Sequence, residues 1–334
     1  MGCIGCGGKA HHHLTIIKQE TPEIELVAYA DVRKEAADAF LSQFGGKYAT
    51  DDGQKILDDP DIDTVMICTR HDSHTSYAIN AAKSRKRIFI EKPLALTIEE
   101  CLEIERAVAR YGVYFQVGFQ NRFESRIQRV KQVIKYPVVL LGRYTGGCWG
   151  EQSWAWDKIT GGGYILSAGC HLYDLMHFLS GSDPIEIYAG GSNYYHPGDD
   201  RPDAVVSTIK FTSGAVATLL CGDCNGGDMN YLLELYNGTS GASVSDNFNK
   251  ITSWGVAIED NYPPGGAVPH TGVVGQWKTF VERILGNGIS PVTARDGTFA
   301  TAMVLKSFES IRTCLLYTSP SPRDRTRSRM PSSA

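Results

Sequence analysis

Two short motifs hold most of the chemistry this chain could perform. Gly5-Cys6-Gly7-Gly8-Lys9-Ala10 has the G-x-G-x-x-A spacing of a turn that cradles a dinucleotide pyrophosphate. Gly5 permits a tight turn, Gly7 lets the backbone approach the phosphates, and Ala10 lets the following helix pack on its strand. The unpaired N–H groups at the helix start then face the anion. Asp31 follows Ala10 by 21 residues, near the spacing of an acid that hydrogen-bonds adenosine ribose hydroxyls. Asp31 would repel a 2′-phosphate; Arg33, just past Val32, could accept one or simply be a solvated charge. The balance favours NAD, with NADP open. The second motif, Glu91-Lys92-Pro93, ends the apolar run 87–90. It puts an ammonium at the carboxyl end of a strand, where open α/β sheets build their ligand sites.

The elements that must position these motifs alternate. Strands are predicted at 24–30, 64–69, 87–90 and 114–118, and helices at 34–44, 75–83 and 98–110. Thr97 and Glu100 form a capping box for the last of these helices. Strand–helix alternation implies parallel βαβ units and a doubly wound sheet. Past Gln120 the pattern changes. After a helix at 127–134, amphipathic strands follow at 138–145, 185–191, 204–211, 215–221 and 231–236. These read as an open, largely antiparallel sheet with one buried face. The expected fold is therefore α/β: an N-terminal doubly wound parallel sheet over 1–119, then an α+β domain over 120–313. The outer face of the second sheet is a natural subunit interface or substrate wall, and suits a homodimer or homotetramer.

A net charge of −4 gives no footprint for nucleic acid. No apolar run approaches the length of a membrane span, and no signal peptide precedes the fingerprint. Nine cysteines without a secretory signal read as reduced thiols of a cytoplasmic protein. The pairs Cys3/Cys6 and Cys221/Cys224, and the run His11-His12-His13, have metal-ligand residue types. Cys6 lies inside the phosphate turn, where a metal would compete with the dinucleotide, and no metal is expected at any of them.

In order and spacing the chain resembles the Gfo/Idh/MocA oxidoreductases. The resemblance rests on Gly5–Ala10, Cys68-Thr69-Arg70-His71-Asp72-Ser73-His74, Glu91-Lys92-Pro93, Gly118-Phe119-Gln120-Asn121-Arg122-Phe123, and Gly161-Gly162-Gly163 followed by His171-Leu172-Tyr173-Asp174. Arg295-Asp296-Gly297 resembles the family's late Asp-Gly turn. It implies a Rossmann domain that binds NAD(P) and hydride transfer to or from a sugar, cyclitol or related polyol. Lys92 would then sit beside the nicotinamide and the reacting hydroxyl, with His171 as general base. Thr69, Arg70, His71, His74 and Glu91 would meet the cofactor. Gln120 and Arg122 would line the nicotinamide or substrate side. Inositol-dehydrogenase-like members have an aspartate four residues before the histidine; this chain has Ser167, which puts inositol specificity in doubt. Trp149, Trp154 and Trp156 precede the triple glycine, and an aromatic face such as that of Trp154 suits the apolar face of a sugar. Two other functions fit the same resemblance. One is a glycosidase that uses tightly bound NAD for transient oxidation and elimination. The other is a non-enzymatic NAD(P) sensor, against which the retention of both Lys92 and His171 argues.

From Cys314 to Ala334 the chain turns rich in serine, proline and arginine. This stretch resembles a translated sequencing-library adapter and is expected to be a disordered tail outside the fold. Without its four arginines and one aspartate the net charge moves from −4 to −7. By the same reading the native C-terminus is missing, and Met1 is an internal start that shortens the first strand.

Overall fold

The computed structural model describes residues 1–146, 153–196, 199–224, 230–261 and 271–318. The first half alternates as its sequence pattern demands: β1 (Gly2–Ile4), α1 (Gly8–Glu20), β2 (Ala28–Ala30), α2 (Lys34–Phe44), β3 (Tyr48–Thr50), α3 (Gly53–Asp58), β4 (Thr64–Ile67), α4 (His74–Lys83), β5 (Arg87–Ile90), α5 (Ile98–Tyr111) and β6 (Phe115–Val117). The strands form one parallel sheet in the order β3-β2-β1-β4-β5-β6. The order of strand addition reverses between the parallel neighbours β1 and β4, so the ligand crevice opens beyond their carboxyl ends. Register then sets the site. Ile4 pairs with Ala30 and Ile67, Ile67 with Ile90, and Ile90 with Val117. The next residues, Gly5, Cys68, Glu91 and Gly118, donate N–H groups to Ala30, Ile4, Ile67 and Ile90. One edge thus collects the glycine turn, the loop after β4, Glu91-Lys92-Pro93 and Gly118. On α5 the expected capping box forms between Thr97 and Glu100, worth about 1 kcal/mol.

The second half continues through α6 (Ser125–Val133), β7 (Val139–Thr145), α7 (Cys170–Ser180), β8 (Pro184–Ser192), β9 (Ala204–Phe211), β10 (Val216–Gly222), β11 (Asn230–Tyr236), β12 (Gly241–Ser245), β13 (Lys250–Trp254), α8 (Thr271–Leu285), α9 (Ala294–Thr313) and β14 (Tyr317–Thr318). Its eight-stranded sheet has the order β13-β12-β11-β7-β10-β9-β8-β14. Neighbours are antiparallel except β7 and β10, which run parallel. Alternate residues of β7, β9 and β10 are buried. The inner face packs closely on α7: a Cβ at Gly142 would lie 2.9 Å from Leu172. Val139, Leu141, Val206, Val216 and Leu220 remain exposed on the outer face.

Several sequence expectations are corrected. Only three residues of the 24–30 run join the sheet; β3 and α3 are too short for a periodic signal. Asp296 does not make a turn. It is the third residue of α9 and closes a capping box with Thr293. Residues 314–318 do not leave the fold, because Tyr317 and Thr318 pair with Ile187 and Glu186 and Ser310 Oγ donates to the Leu315 carbonyl at 2.7 Å. Residues 319–334 lie outside the described residues. Among the described residues, no helix is long and apolar enough to cross a membrane.

Candidate active site

The phosphate turn has the geometry its glycines foretell. Gly5 has φ +92°, and a Cβ there would lie 2.6 Å from the Cys68 carbonyl carbon and oxygen. At Gly7 and Gly8 a Cβ would meet nothing within 4 Å, so the start of α1 faces open space. Gly7 is its N-cap and supplies no side-chain bond, leaving first-turn N–H groups for an anion. Ala10 is fully buried against the sheet. The Asp31 carboxylate receives the Cys6 N–H at 2.8 Å and the Arg33 N–H at 3.0 Å, which ties the acid to the turn. Arg33 Nε lies 3.8 Å from that carboxylate, and Val32 beside it is exposed. An uncapped helix start, an open space and an oriented acid fit NAD. Arg33 leans on Asp31, and a carboxylate at this position disfavours a 2′-phosphate.

The loop after β4 joins the two halves. Its Ser73 Oγ donates to Thr69 Oγ1 at 2.7 Å. His71 Nδ1 meets the Gly161 carbonyl at 2.7 Å, and His74 Nδ1 meets the Pro93 carbonyl at 2.8 Å. Each carbonyl can only accept, so each Nδ1 bears a proton. Burial, with His74 next to it, pushes His71 down to about 3; burial also lowers His74. Trp154 stands edge-on to His71 at 4.8 Å and carries Arg70 over its ring at 5.8 Å. The indole is part of the wall, one of its faces taken by the guanidinium. Trp156 is buried instead, against His196 at 3.7 Å. Trp149 lies outside the described residues.

Lys92 reaches across the cleft, its Nζ donating to the Ser167 carbonyl at 2.7 Å. The Lys92–Pro93 peptide is cis, and the Lys92 N–H meets Glu91 Oε2 at 3.1 Å. Ser167 lies in one turn of π-helix, Ile165–Gly169, immediately before α7. Its hydroxyl turns away, to the Gly161 carbonyl at 3.1 Å. Thus the backbone at this position, rather than the side chain, holds the lysine. His171, in the first turn of α7, is 8% exposed, and its Nδ1 has no hydrogen-bond partner. Its ring stands edge-on to Phe119 at 5.8 Å. Burial, then the Lys92 charge, hold it well below the usual histidine range. It is therefore a neutral imidazole at physiological pH.

Glu91 is buried beneath Lys92. Burial alone would raise its pKa, but Lys9, a bond from His13 and Lys92 outweigh that and hold it well below the carboxylate range. Lys9 Nζ lies 3.8 Å from Glu91 Oε1 and donates to Gln120 Oε1 at 2.6 Å, which brings Gln120 to the phosphate turn. Gly118 makes room, since a Cβ there would come within 2.9 Å of Glu91 Oε1.

Arg122 corrects the expectation that it lines the substrate side. It is 4% exposed and makes a bidentate pair with Asp174. It also donates to Asp296 at 3.0 Å and to the Pro291 carbonyl at 3.2 Å. Burial opposes the charge, yet the two carboxylates hold the guanidinium above its usual value. The arginine ties the segment after β6 to α7 and to the start of α9.

Two residues at the site escaped the sequence reading. His13 Nε2 lies 2.7 Å from Glu91 Oε1, and Trp277 Nε1 donates to His13 Nδ1 at 2.9 Å. A signal for His13 existed: Ala10, His13, Leu14 and Ile17 form the buried stripe of α1. Trp277 offered only helical spacing with Val273 and Phe280. Among the described residues no His/Cys/Asp/Glu group could hold a metal ion.

Residues 1–119 match the oxidoreductase family with an NAD-binding Rossmann fold, and residues 138–242 match the GFO/IDH/MocA C-terminal domain. The chain belongs to the GFO/IDH/MocA family and is an NAD-binding oxidoreductase. The uncharacterized oxidoreductase YrbE of Bacillus subtilis is 27% identical over 326 residues, 93% of either chain. The scyllo-inositol 2-dehydrogenase (NAD(+)) of the same organism is 29% identical over 217 residues, 64% of either chain. An oxidoreductase domain protein from Kribbella flavida has a solved structure that matches with TM-score 0.86 at 20% identity, covering 96% of this chain and 98% of that one.

Proposed function

We propose that the protein is an NAD-dependent dehydrogenase of CH–OH groups acting on a sugar, cyclitol or related polyol. The observation that carries this reading is one cleft holding an ammonium and a neutral, unpartnered imidazole, Lys92 and His171, beside an uncapped phosphate turn. Gly5, Cys6, Gly7, Gly8, Lys9 and Ala10 would hold the pyrophosphate, and Asp31 the ribose. Bound there, NAD supplies the acceptor for the hydride that leaves the carbinol carbon. His171 takes the hydroxyl proton. Lys92 offsets the charge that builds on the oxygen as the C–O bond gains double-bond character. In the reverse direction His171 returns the proton. The likeness to a scyllo-inositol 2-dehydrogenase supports a polyol substrate, while Ser167 argues against simple inheritance of inositol specificity.

Nicotinamide absorbance, followed with NAD or NADP against inositols, aldoses and sugar acids, tests the reading. Reduced NAD accumulating with one polyol is the expected result. Absence of accumulation in a folded sample that binds NAD would overturn it.

The exposed apolar face of the second sheet supports a homo-oligomer built through β7, β9 and β10. Light scattering is expected to give at least a dimer, and Leu220→Lys a monomer.

A further inference from the structure

We propose that His13 and Trp277 are positioning residues for Lys92: the α8 indole fixes which His13 nitrogen bears the proton, His13 anchors Glu91, and Glu91 holds the Lys92 backbone. An indole N–H can only donate, so His13 Nδ1 at 2.9 Å must accept. The neutral ring then carries its proton on Nε2, 2.7 Å from Glu91 Oε1. The other carboxylate oxygen receives the Lys92 N–H, and Lys92 Nζ continues to Ser167. His13 and Trp277 are both fully buried, and Phe89 packs on both rings, at 5.3 Å and 4.4 Å. The groups facing His13 are Lys9 and His12 on its own helix, Glu91 and Lys92 at the end of β5, and on α8 the indole, which does not titrate. Burial lowers the His13 pKa, and a second proton would also have to face the indole N–H, so the ring stays singly protonated. Neither residue touches the open cleft. A helix late in the chain therefore sets the geometry of a lysine delivered by the fifth strand.

The inference rests on Lys92 acting as proposed above, and its test separates the two. Ring nitrogen NMR of the full-length protein, alone and with NAD, should show His13 as the Nε2–H form without titration between about pH 5 and 8. In Trp277→Phe the lone pair on Nδ1 loses its donor. His13 should then populate the Nδ1–H form as well, and kcat should fall roughly tenfold with KM for NAD unchanged. His13→Gln, which retains an amide donor for Glu91, should stay near the parent, whereas His13→Leu should lose roughly ten- to a hundredfold in kcat. A folded Trp277→Phe with His13 still in one tautomer and kcat intact would overturn the proposal. So would equal losses in His13→Gln and His13→Leu. If no polyol is oxidised at all, the functional reading fails, and the tautomer of His13 still decides the relay.

Discussion

Two buried charged clusters meet α7, one at Asp174 and the other at His171, and they differ in how their cations are paired. Around Arg122 the guanidinium has acceptors on Asp174, Asp296 and Pro291, none of them in the cleft. Around Lys92 the ammonium has one carbonyl, and the imidazole beside it has a buried nitrogen with no partner. Burying an unpaired polar group costs free energy, and each cluster carries one such imidazole nitrogen, His171 Nδ1 near Lys92 and His177 Nδ1 3.7 Å from Asp296. Arg122, met by two carboxylates, ties the halves together; Lys92 meets one neutral carbonyl. How the cation is paired, by carboxylates or by a single carbonyl, separates the two clusters more than burial does.

The largest effect should come from breaking the carboxylate-paired cluster. Arg122→Met leaves Asp174 and Asp296 facing each other without a cation and should cost about 3–5 kcal/mol of stability by urea unfolding. A loss below about 1 kcal/mol would erase the contrast. Lys92→Met should do the opposite: its melting temperature stays near the parent, while kcat falls about 10²–10³-fold, or about 2.7–4 kcal/mol of transition-state stabilisation. Acid sharpens the comparison further. His13, His71, His74, His171 and His177 are all lowered, burial being the largest cause in each. Below about pH 6.5 the unfolded chain takes protons that these folded side chains refuse. Stability is therefore full above that pH and falls below it, by up to about 1.4 kcal/mol per pH unit for each histidine. Urea midpoints measured downward from pH 7 check the sign; a flat profile to pH 5 would contradict the burial of these rings. The smallest effect belongs to Ser167→Ala. Lys92 uses the carbonyl and the hydroxyl bonds only to Gly161, so about 0.5–1.5 kcal/mol of stability is at stake, with little change in kcat.

The parallel sheet was legible because the glycine turn, Asp31 and Glu91-Lys92-Pro93 are local signals set by strand ends. Amphipathic alternation likewise showed the second sheet, though not that β7 and β10 run parallel, since alternation looks the same in either direction. Arg122 was misplaced for a different reason. A motif shows that an arginine stands after β6, but its partners Asp174 and Asp296 are 52 and 174 residues away, beyond any local pattern. His13 hid between two other histidines, and only its place on the buried stripe of α1 sets it apart.

The contact from Trp277 to His13 spans 264 residues, and this shapes how the chain can be made. Val273, Trp277 and Phe280 of α8 share one apolar cluster with Leu14, Ile17 and Phe89. On a ribosome the glycine turn and its helix emerge before that cover and wait for it. At about 5–20 residues per second the wait is on the order of tens of seconds. Through that interval the face of Leu14, Ile17 and Phe89 lacks its final covering, and Glu91, which holds the Lys92 N–H, lacks the partner of its partner. The nucleotide-binding half has the signature of a free-standing unit, yet its closing piece is translated 264 residues after the helix it covers.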